Sequence, residues 1–371
     1  MKQPLLSIVV PTKNRYYYLK HLIKYVNNFE TDEVELLVHD NSDDNAEMLD
    51  FIKEGQYRCL SYYYTNDQLS VSENADLAIY KSKGEYVCFI GDDDGVTNEI
   101  IDQVKFLKNN SIEAMITRLA VYNWPDYKDE SIYKLSASLS LRDSKKKNYL
   151  LNSKEELHKV AKAGFANIGL LPKVYQGIVC RTALDKLFEK CGSYFPGPSP
   201  DMANAVALTA IIEEYIYSDV PTIITGQSKY VGGGERLLKK LMPLSEIPHL
   251  PKDIMDYWDN KLPKLWCTET IWPGSAIIAA NKVGLSIRVN YDKIYGRFIF
   301  NHPSHASDLD NFECSKLMIE IYKINIFFKK AQKWAYNRLT YYMSNHKKIG
   351  GCTIYRNLNT INKAAEVLSL R

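Results

Sequence analysis

The first 120 residues alternate short apolar runs with amphipathic stretches, and this rhythm restricts the fold more than any other feature. Leu6-Ser7-Ile8-Val9-Val10 reads as a buried strand stopped by Pro11, and residues 15–28 read as a helix. Val34 to His39 is a second strand that ends at Asp40, and residues 44–54 form a helix stopped by Gly55. Leu60 to Tyr64 is a third strand. A helix capped by Ser70 or Ser72 runs to Lys83, and Tyr86 to Ile90 is a fourth strand. A helix near 98–109 and a strand near 113–118 follow. Strand and helix alternating through short turns predict a mostly parallel sheet flanked by helices, an α/β fold. Ligands of such sheets sit beyond the carboxyl ends of the strands. Three polar clusters fall at those ends: Pro11-Thr12-Lys13-Asn14-Arg15, Asp40-Asn41-Ser42-Asp43 and Asp92-Asp93-Asp94.

The later chain is less regular. Residues 125–150 are polar and lysine-rich and read as a long excursion. Val174 to Cys180 reads as a strand. Ser199 is placed to cap a helix, with Pro200 at its first position and Asp201 in its first turn, running to about Tyr215. Val220 to Thr225 reads as the last strand of a first domain, residues 1–235. Residues 236–371 are expected to be a mainly helical C-terminal region.

Hydrophobic residues make up 46% and charged residues 25% of the 371, which excludes a disordered or collagen-like chain. No apolar run approaches the roughly 18 residues that cross a bilayer, so a cytoplasmic protein is expected. The seven cysteines are widely spaced without Cys-x-x-Cys, which disfavours a zinc or disulfide framework. The net charge of +3 hides a gradient: residues 1–100 sum to −9 and residues 301–371 to +6. The acidic front suits a cation and the basic tail an anionic partner.

Three adjacent carboxylates repel one another and are best tolerated where a hard divalent cation offsets them. An acidic cluster without histidine suits Mn2+ or Mg2+ held together with substrate phosphates. Asp40, at the end of strand two, suits a base N–H or a ribose hydroxyl, although a turn aspartate has the same pattern.

The opening Leu-Ser-Ile-Val-Val-Pro-Thr-Lys-Asn-Arg, then Asp40-Asn41-Ser42, Ser72-Glu73-Asn74 and Lys83-Gly84-Glu85-Tyr86-Val87-Cys88-Phe89-Ile90-Gly91-Asp92-Asp93-Asp94 resemble family 2 glycosyltransferases of the GT-A fold. The resemblance covers residues 4–120 well and extends loosely to about 230. It implies sugar transfer with inversion from a nucleotide-diphosphate sugar donor to a glycan or lipid-linked glycan acceptor, as in bacterial surface polysaccharide assembly. Under it, Pro11, Thr12, Arg15, Asp40, Asn74, Asp92 and Asp93 would bind the nucleotide sugar. Asp94 and Asp92 would hold the metal, and Asp201 would be the general base. Many members have an acid at the position of Gly91, so which aspartate ligates the metal stays open. The Gln-x-x-Arg-Trp signature of processive members is absent, which favours addition of single residues.

Glu213 and Glu214 are fallback bases, read as mid-helix acids. Arg236, Lys239 and Lys240 after Gly232-Gly233-Gly234 suit a loop over a diphosphate. His302-Pro303-Ser304-His305 reads as a loop rather than a metal site, Trp124 as a packed aromatic, and the two tyrosine triplets as packing. A nucleotidyltransferase would want a glycine-rich loop after strand one, which Pro11 to Arg15 does not provide. A nicotinamide oxidoreductase is disfavoured by the missing Gly-x-Gly-x-x-Gly. A catalytically silent scaffold of the same fold is a further alternative. No nucleic-acid partner is expected.

Residues 315–343 carry an apolar stripe of Leu317, Ile321, Ile324, Phe328, Ala331, Ala335, Leu339 and Tyr342, with lysines in and after it. Such a helix suits either packing on the catalytic domain with a solvated lysine face, or peripheral contact with the inner membrane.

Overall fold

The computed structural model describes residues 3–29, 31–127, 135–229, 241–247, 250–251, 253–343 and 352–370. The expected loop cations Arg236, Lys239 and Lys240 lie outside the described residues. The strands are β1 (Leu6–Thr12), β2 (Val34–Asp40), β3 (Leu60–Tyr64), β4 (Tyr86–Phe89), β5 (Gly95–Val96), β6 (Ala114–Thr117), β7 (Ala120–Asn123), β8 (Ser138–Arg142), β9 (Asn148–Asn152), β10 (Gly177–Cys180), β11 (Glu214–Ser218), β12 (Ile223–Gln227) and β13 (Cys352–Tyr355). The helices are α1 (Tyr16–Val26), α2 (Ala46–Glu54), α3 (Val71–Lys81), α4 (Ile100–Asn109), α5 (Ser153–Lys162), α6 (Arg181–Cys191), α7 (Pro200–Leu208), α8 (Ile254–Tyr257), α9 (Thr268–Lys282), α10 (Tyr291–Asn301), α11 (Lys316–Met343) and α12 (Ile361–Ser369).

The large sheet has the order β3-β2-β1-β4-β10-β6-β11-β9. Its first four strands are parallel, and β10 runs antiparallel between β4 and β6. Every residue of β2 and β4 is buried, because helices cover both faces of a parallel sheet. The sheet is therefore the expected α/β core, with its carboxyl ends forming one rim.

Pro11 does not stop β1, which continues to Thr12 opposite Asp40. Val9 turns its carbonyl towards β4, where it accepts from Ile90 N. Pro11, two residues on, faces the same side beyond the end of β4, so its missing N–H costs the sheet no ladder bond.

Two stretches depart from their sequence pattern. Residues 138–152 are not an excursion but strands β8 and β9. The turn between them folds over Asp219, whose carboxylate accepts from Ser144 Oγ and the backbone N–H groups of Lys145 and Lys147. The helix from Pro200 ends at Leu208 rather than near Tyr215, and Glu214–Ser218 is strand β11. Glu213 and Glu214 are thus exposed at the amino end of a strand that runs parallel to β6, on the edge opposite the carboxyl rim. This placement removes them as fallback bases.

A smaller sheet, β13-β8-β7-β12-β5, sits beside that rim. Residues 352–369 return to it from the far end of the sequence. Strand β13 pairs antiparallel with β8, and α12 buries Ile361, Ala364, Ala365 and Leu368 with Trp124, Tyr122 and Ile224. The helical region has its own core around Trp258, Ile294, Phe298 and Ile319. Its α9 is apolar on every side because it lies between α7 and α10. Arg297 ties this region to the first by donating to the carbonyls of Ala163 and Gly164 at 3.0 and 2.7 Å.

Helix α11 packs on α10 through Ile319 and Tyr322, which meet Gly296. Of the apolar stripe of α11, Leu317, Ile321, Ile324, Phe328 and Leu339 face solvent.

Candidate active site

Strand β4 delivers its chain to the rim at Ile90, and the next four residues turn sharply. Asp92, Asp93 and Asp94 are only 4%, 9% and 1% exposed. Three carboxylates cannot share a dry turn without donors, and the structure supplies them from distant segments. Thr12 Oγ1 donates to Asp92 Oδ2 at 2.8 Å. Arg15 reaches Asp92 Oδ1 through Nε at 3.2 Å and Asp93 Oδ2 through Nη2 at 2.6 Å. Ser228 Oγ donates to the same oxygen of Asp93 at 2.6 Å. Arg15 also lies over the Tyr18 ring, 5.2 Å from its centroid.

Asp94 is held differently. Its Oδ2 accepts from Gly91 N and Gln176 Nε2, both at 2.9 Å, and its Oδ1 accepts from Gly226 N at 2.8 Å. Both oxygens are committed to nitrogen donors, so Asp94 fastens the turn to β12 and to the loop before β10. A Cβ on Gly226 would stand 1.7 Å from the Asp93 carbonyl oxygen, so only glycine lets the two backbones approach. A Cβ on Gly91 would press on the carboxylates of Asp93 and Asp94 at 3.2 and 3.3 Å. An acid there would add a fourth negative charge at that distance.

The electrostatics follow from burial. Asp92 and Asp94 are both pushed well above the usual carboxylate range, first by burial and then, for each, by the neighbouring aspartates; Arg15 pulls Asp92 back. Burial works against the Arg15 charge, but Asp92 and Asp93 outweigh it and raise its pKa. The turn carries three acids against one guanidinium. Asp93 Oδ1 takes no donor among the described residues, while Arg15 and Thr12 engage both oxygens of Asp92; the excess of negative charge fits a hard divalent cation.

The other expected residues lie along the same rim. Asp40 is fully buried, and its Oδ2 accepts from Tyr16 and Tyr62 hydroxyls at 2.7 and 2.5 Å while its Oδ1 accepts from Ser42 N. The tyrosine triplets thus do more than pack: two of their members hold Asp40. Asn74 Oδ1 accepts from His39 Nδ1 at 2.6 Å, and burial lowers the pKa of His39. Pro11 and Thr12 end β1 beside these groups. Trp124 is fully buried and donates its indole N–H to the Asp93 carbonyl at 2.9 Å, so it backs the turn instead of lining an open face.

Asp201 stands in the first turn of α7. Ser199 does not cap that helix through its side chain; its hydroxyl donates to Asp201 Oδ1, as does Met202 N at 2.8 Å. Asn204 on the same helix accepts from Val174 N at 2.9 Å and so fixes the loop before β10. That loop brings in three residues that no sequence pattern flagged. Tyr175 has its pKa raised by the charge of Asp94 first, then by burial and by Asp93, Asp201 and Asp92. Lys173 has its pKa lowered by burial, against the opposing pull of Asp201 and Asp94. Gln176 has a left-handed backbone, φ 54°, while it donates to Asp94. Only the strained φ of Gln176, and not its residue type, would have singled it out.

Among the described residues, Cys267, Glu269 and His302 also come together, with ligand atoms within 4.8 Å of one another. Here Glu269 accepts from Asn301 Nδ2 at 2.6 Å and pairs with His302 Nε2 at 3.1 Å, joining α9 to the end of α10. Burial pushes the Cys267 thiol up to about 12. A cleft of about 730 Å3 lies in the helical region beside Trp258, Ile277 and Tyr291, and none of the rim aspartates lines it.

Residues 7–169 match the family model described as "Glycosyl transferase family 2". Among curated proteins, the chain is 30% identical over 93 residues to a GalNAc(5)-diNAcBac-PP-undecaprenol beta-1,3-glucosyltransferase of Campylobacter jejuni, covering 24% of this chain and 30% of that protein. It is 25% identical over 115 residues to an uncharacterized glycosyltransferase of Haemophilus influenzae, covering 30% of this chain and 46% of that one. The chain thus spans less than half the length of these relatives. Similar solved structures include S. aureus TarS 1-349 in complex with UDP-GlcNAc, at a TM-score of 0.44 and 16% identity over 81% of this chain and 72% of that one. They also include a mannosyltransferase of Pyrobaculum calidifontis in complex with GDP-Man and Mn2+, at a TM-score of 0.39 and 12% identity over 88% and 85% of the two chains. The matched segment, 7–169, contains the strand ends, the acidic turn and the Arg15 bridge described above, and it is this segment that is similar to glycosyl transferase family 2.

Proposed function

We propose that the protein transfers a sugar, with inversion, from a nucleotide-diphosphate donor to a hydroxyl of a glycan or lipid-linked glycan acceptor. One observation carries the reading. Asp201, on α7, and the three aspartates after β4 all act on Tyr175, and Asp201 and Asp94 both act on Lys173. A prospective base and a prospective donor site therefore face one space across the loop before β10. The lipid-linked substrate in the name of the Campylobacter relative supports the acceptor class.

Asp92 and Asp93 are the residues that would hold Mn2+ or Mg2+, since Asp94 is committed to backbone and amide donors. A divalent cation there would neutralise charge on the leaving diphosphate. Pro11, Thr12, Arg15 and Asn74 line the nucleoside side. Asp40 would contact the base only if Tyr16 or Tyr62 released it. Lys173, on which both Asp201 and Asp94 act, suits the diphosphate.

Both hydrogen bonds on Asp201 fall on Oδ1, so Oδ2 takes the proton of the acceptor hydroxyl. The acceptor oxygen forms the new bond to the anomeric carbon as the bond to the phosphate oxygen breaks on the opposite side. A single displacement of this kind inverts the centre and needs no covalent intermediate.

The test is thermal shift with a panel of nucleotide sugars and nucleoside diphosphates, with and without Mn2+. A donor present at 100 times its Kd stabilises the fold by about 2.7 kcal/mol. No shift with any nucleotide sugar would overturn the reading.

A further inference from the structure

We infer that α11 is a docking surface for an anionic lipid bilayer. The inference goes beyond the donor-site reading and is tested without turnover. Among the described residues, eight of the twenty exposed large apolar side chains lie on this one helix. Leu317, Ile321, Ile324, Phe328 and Leu339 recur at helical spacing and share a face, which lies opposite the Ile319 and Tyr322 contacts with α10. Phe328 is 61% exposed and Trp334 57%. An apolar face of this kind, turned outward on a helix that is already anchored by its other side, marks an interaction surface.

The charges choose the partner. The helix holds Lys316, Lys323, Lys329, Lys330, Lys333 and Arg338 against Glu320 alone. At 100° per residue, Lys316, Lys323 and Lys330 fall on one shoulder of the packed face, Lys329 on the other, and Lys333 in line with the packed face but beyond the Ile319 and Tyr322 contacts. A second copy of the chain would set two such cationic rows against each other. Anionic headgroups instead pair with both shoulders while the apolar side chains enter the acyl boundary. No helix among the described residues is long and apolar enough to cross a membrane, so α11 would lie in the interface plane.

Vesicle co-sedimentation of the full chain tests this, with phosphatidylcholine vesicles containing or lacking 30% phosphatidylglycerol, at low and high salt. Binding is expected only to the anionic vesicles, and it should weaken at high salt. The variant Phe327→Ser/Phe328→Ser/Trp334→Ser should bind at least about tenfold more weakly, with an unchanged melting temperature, because these side chains are exposed. Replacing Lys316 and Lys329 by Gln should weaken binding about fivefold per residue. Absence of sedimentation with anionic vesicles, or equal binding by the triple serine variant, would overturn the proposal. So would a dimer in light scattering that the triple variant dissolves and that no vesicle competes for, since a second copy would then own the surface.

Discussion

Arg15 Nη2 stands 2.6 Å from Asp93 Oδ2, and the same guanidinium holds Asp92 through Nε. One cation of the chain thus neutralises the two carboxylates best suited to a metal ion, and the two compete for the same oxygens. Arg15→Ala should lower stability by about 2 kcal/mol in chelator, since it leaves buried charge unpaired at a partly exposed site. Added Mn2+ should then raise the melting temperature of the variant more than that of the parent. Differential scanning fluorimetry in EDTA and in Mn2+ measures both, and an equal or smaller Mn2+ shift in the variant would count against the competition.

Asp201→Asn keeps the shape of the first turn of α7 and removes the proton acceptor. Donor affinity should stay within about threefold while turnover falls by about 10^2 to 10^4. Donor titration by calorimetry beside a nucleoside-diphosphate release assay separates the two. Turnover close to that of the parent would end the case for Asp201.

Gly226→Ala places a methyl group where the Asp93 carbonyl already is. The backbone of β12 must retreat, and the Gly226 N–H bond to Asp94 lengthens or breaks. A loss of about 3 kcal/mol is expected from forced overpacking, with weaker donor binding at temperatures where the variant is still folded. Chemical denaturation gives the first quantity and the thermal shift with donor the second.

Asp76 on α3 accepts from Ser193 Oγ and from the N–H groups of Tyr194 and Phe195, yet burial pushes its carboxyl up to about 6. The folded state then holds a proton that the unfolded chain releases near 3.8. Stability from this group is present below pH 3.8 and is lost as pH rises through 6, by at most on the order of 3 kcal/mol. Asp76→Asn should flatten the pH dependence of stability between pH 4 and 6. Denaturant midpoints across that range decide it, and an unaltered slope would exclude Asp76 as the source.

The front of the chain was legible because its physics is local. Buried parallel strands carry apolar runs, such as Leu36-Leu37-Val38 in β2, and their helices carry one wet face. Strand β9 escaped because a polar edge strand looks like a loop, β8 because its partner β13 comes from the far end of the sequence, and β11 because Tyr215 and Tyr217 continue what reads as a helix. The acidic turn was visible as a motif, but its donors were not. Gln176 and Gly226 reach Asp94 from 82 and 132 positions away, and no local pattern announces such partners. Asp94 therefore reads as a metal ligand in sequence and is fully engaged by nitrogen donors in the fold.

The return of residues 352–369 to the small sheet has a consequence for biosynthesis. Ile361 packs on Gly95, directly after the aspartates, and Ser369 donates to Glu99 across 270 positions of sequence. A nascent chain emerging from the ribosome can pair β1 to β4 early, but the wall behind its acidic turn is missing until α12 has been translated. A premature stop codon before α12 would therefore yield a protein lacking the support on which its acidic turn rests.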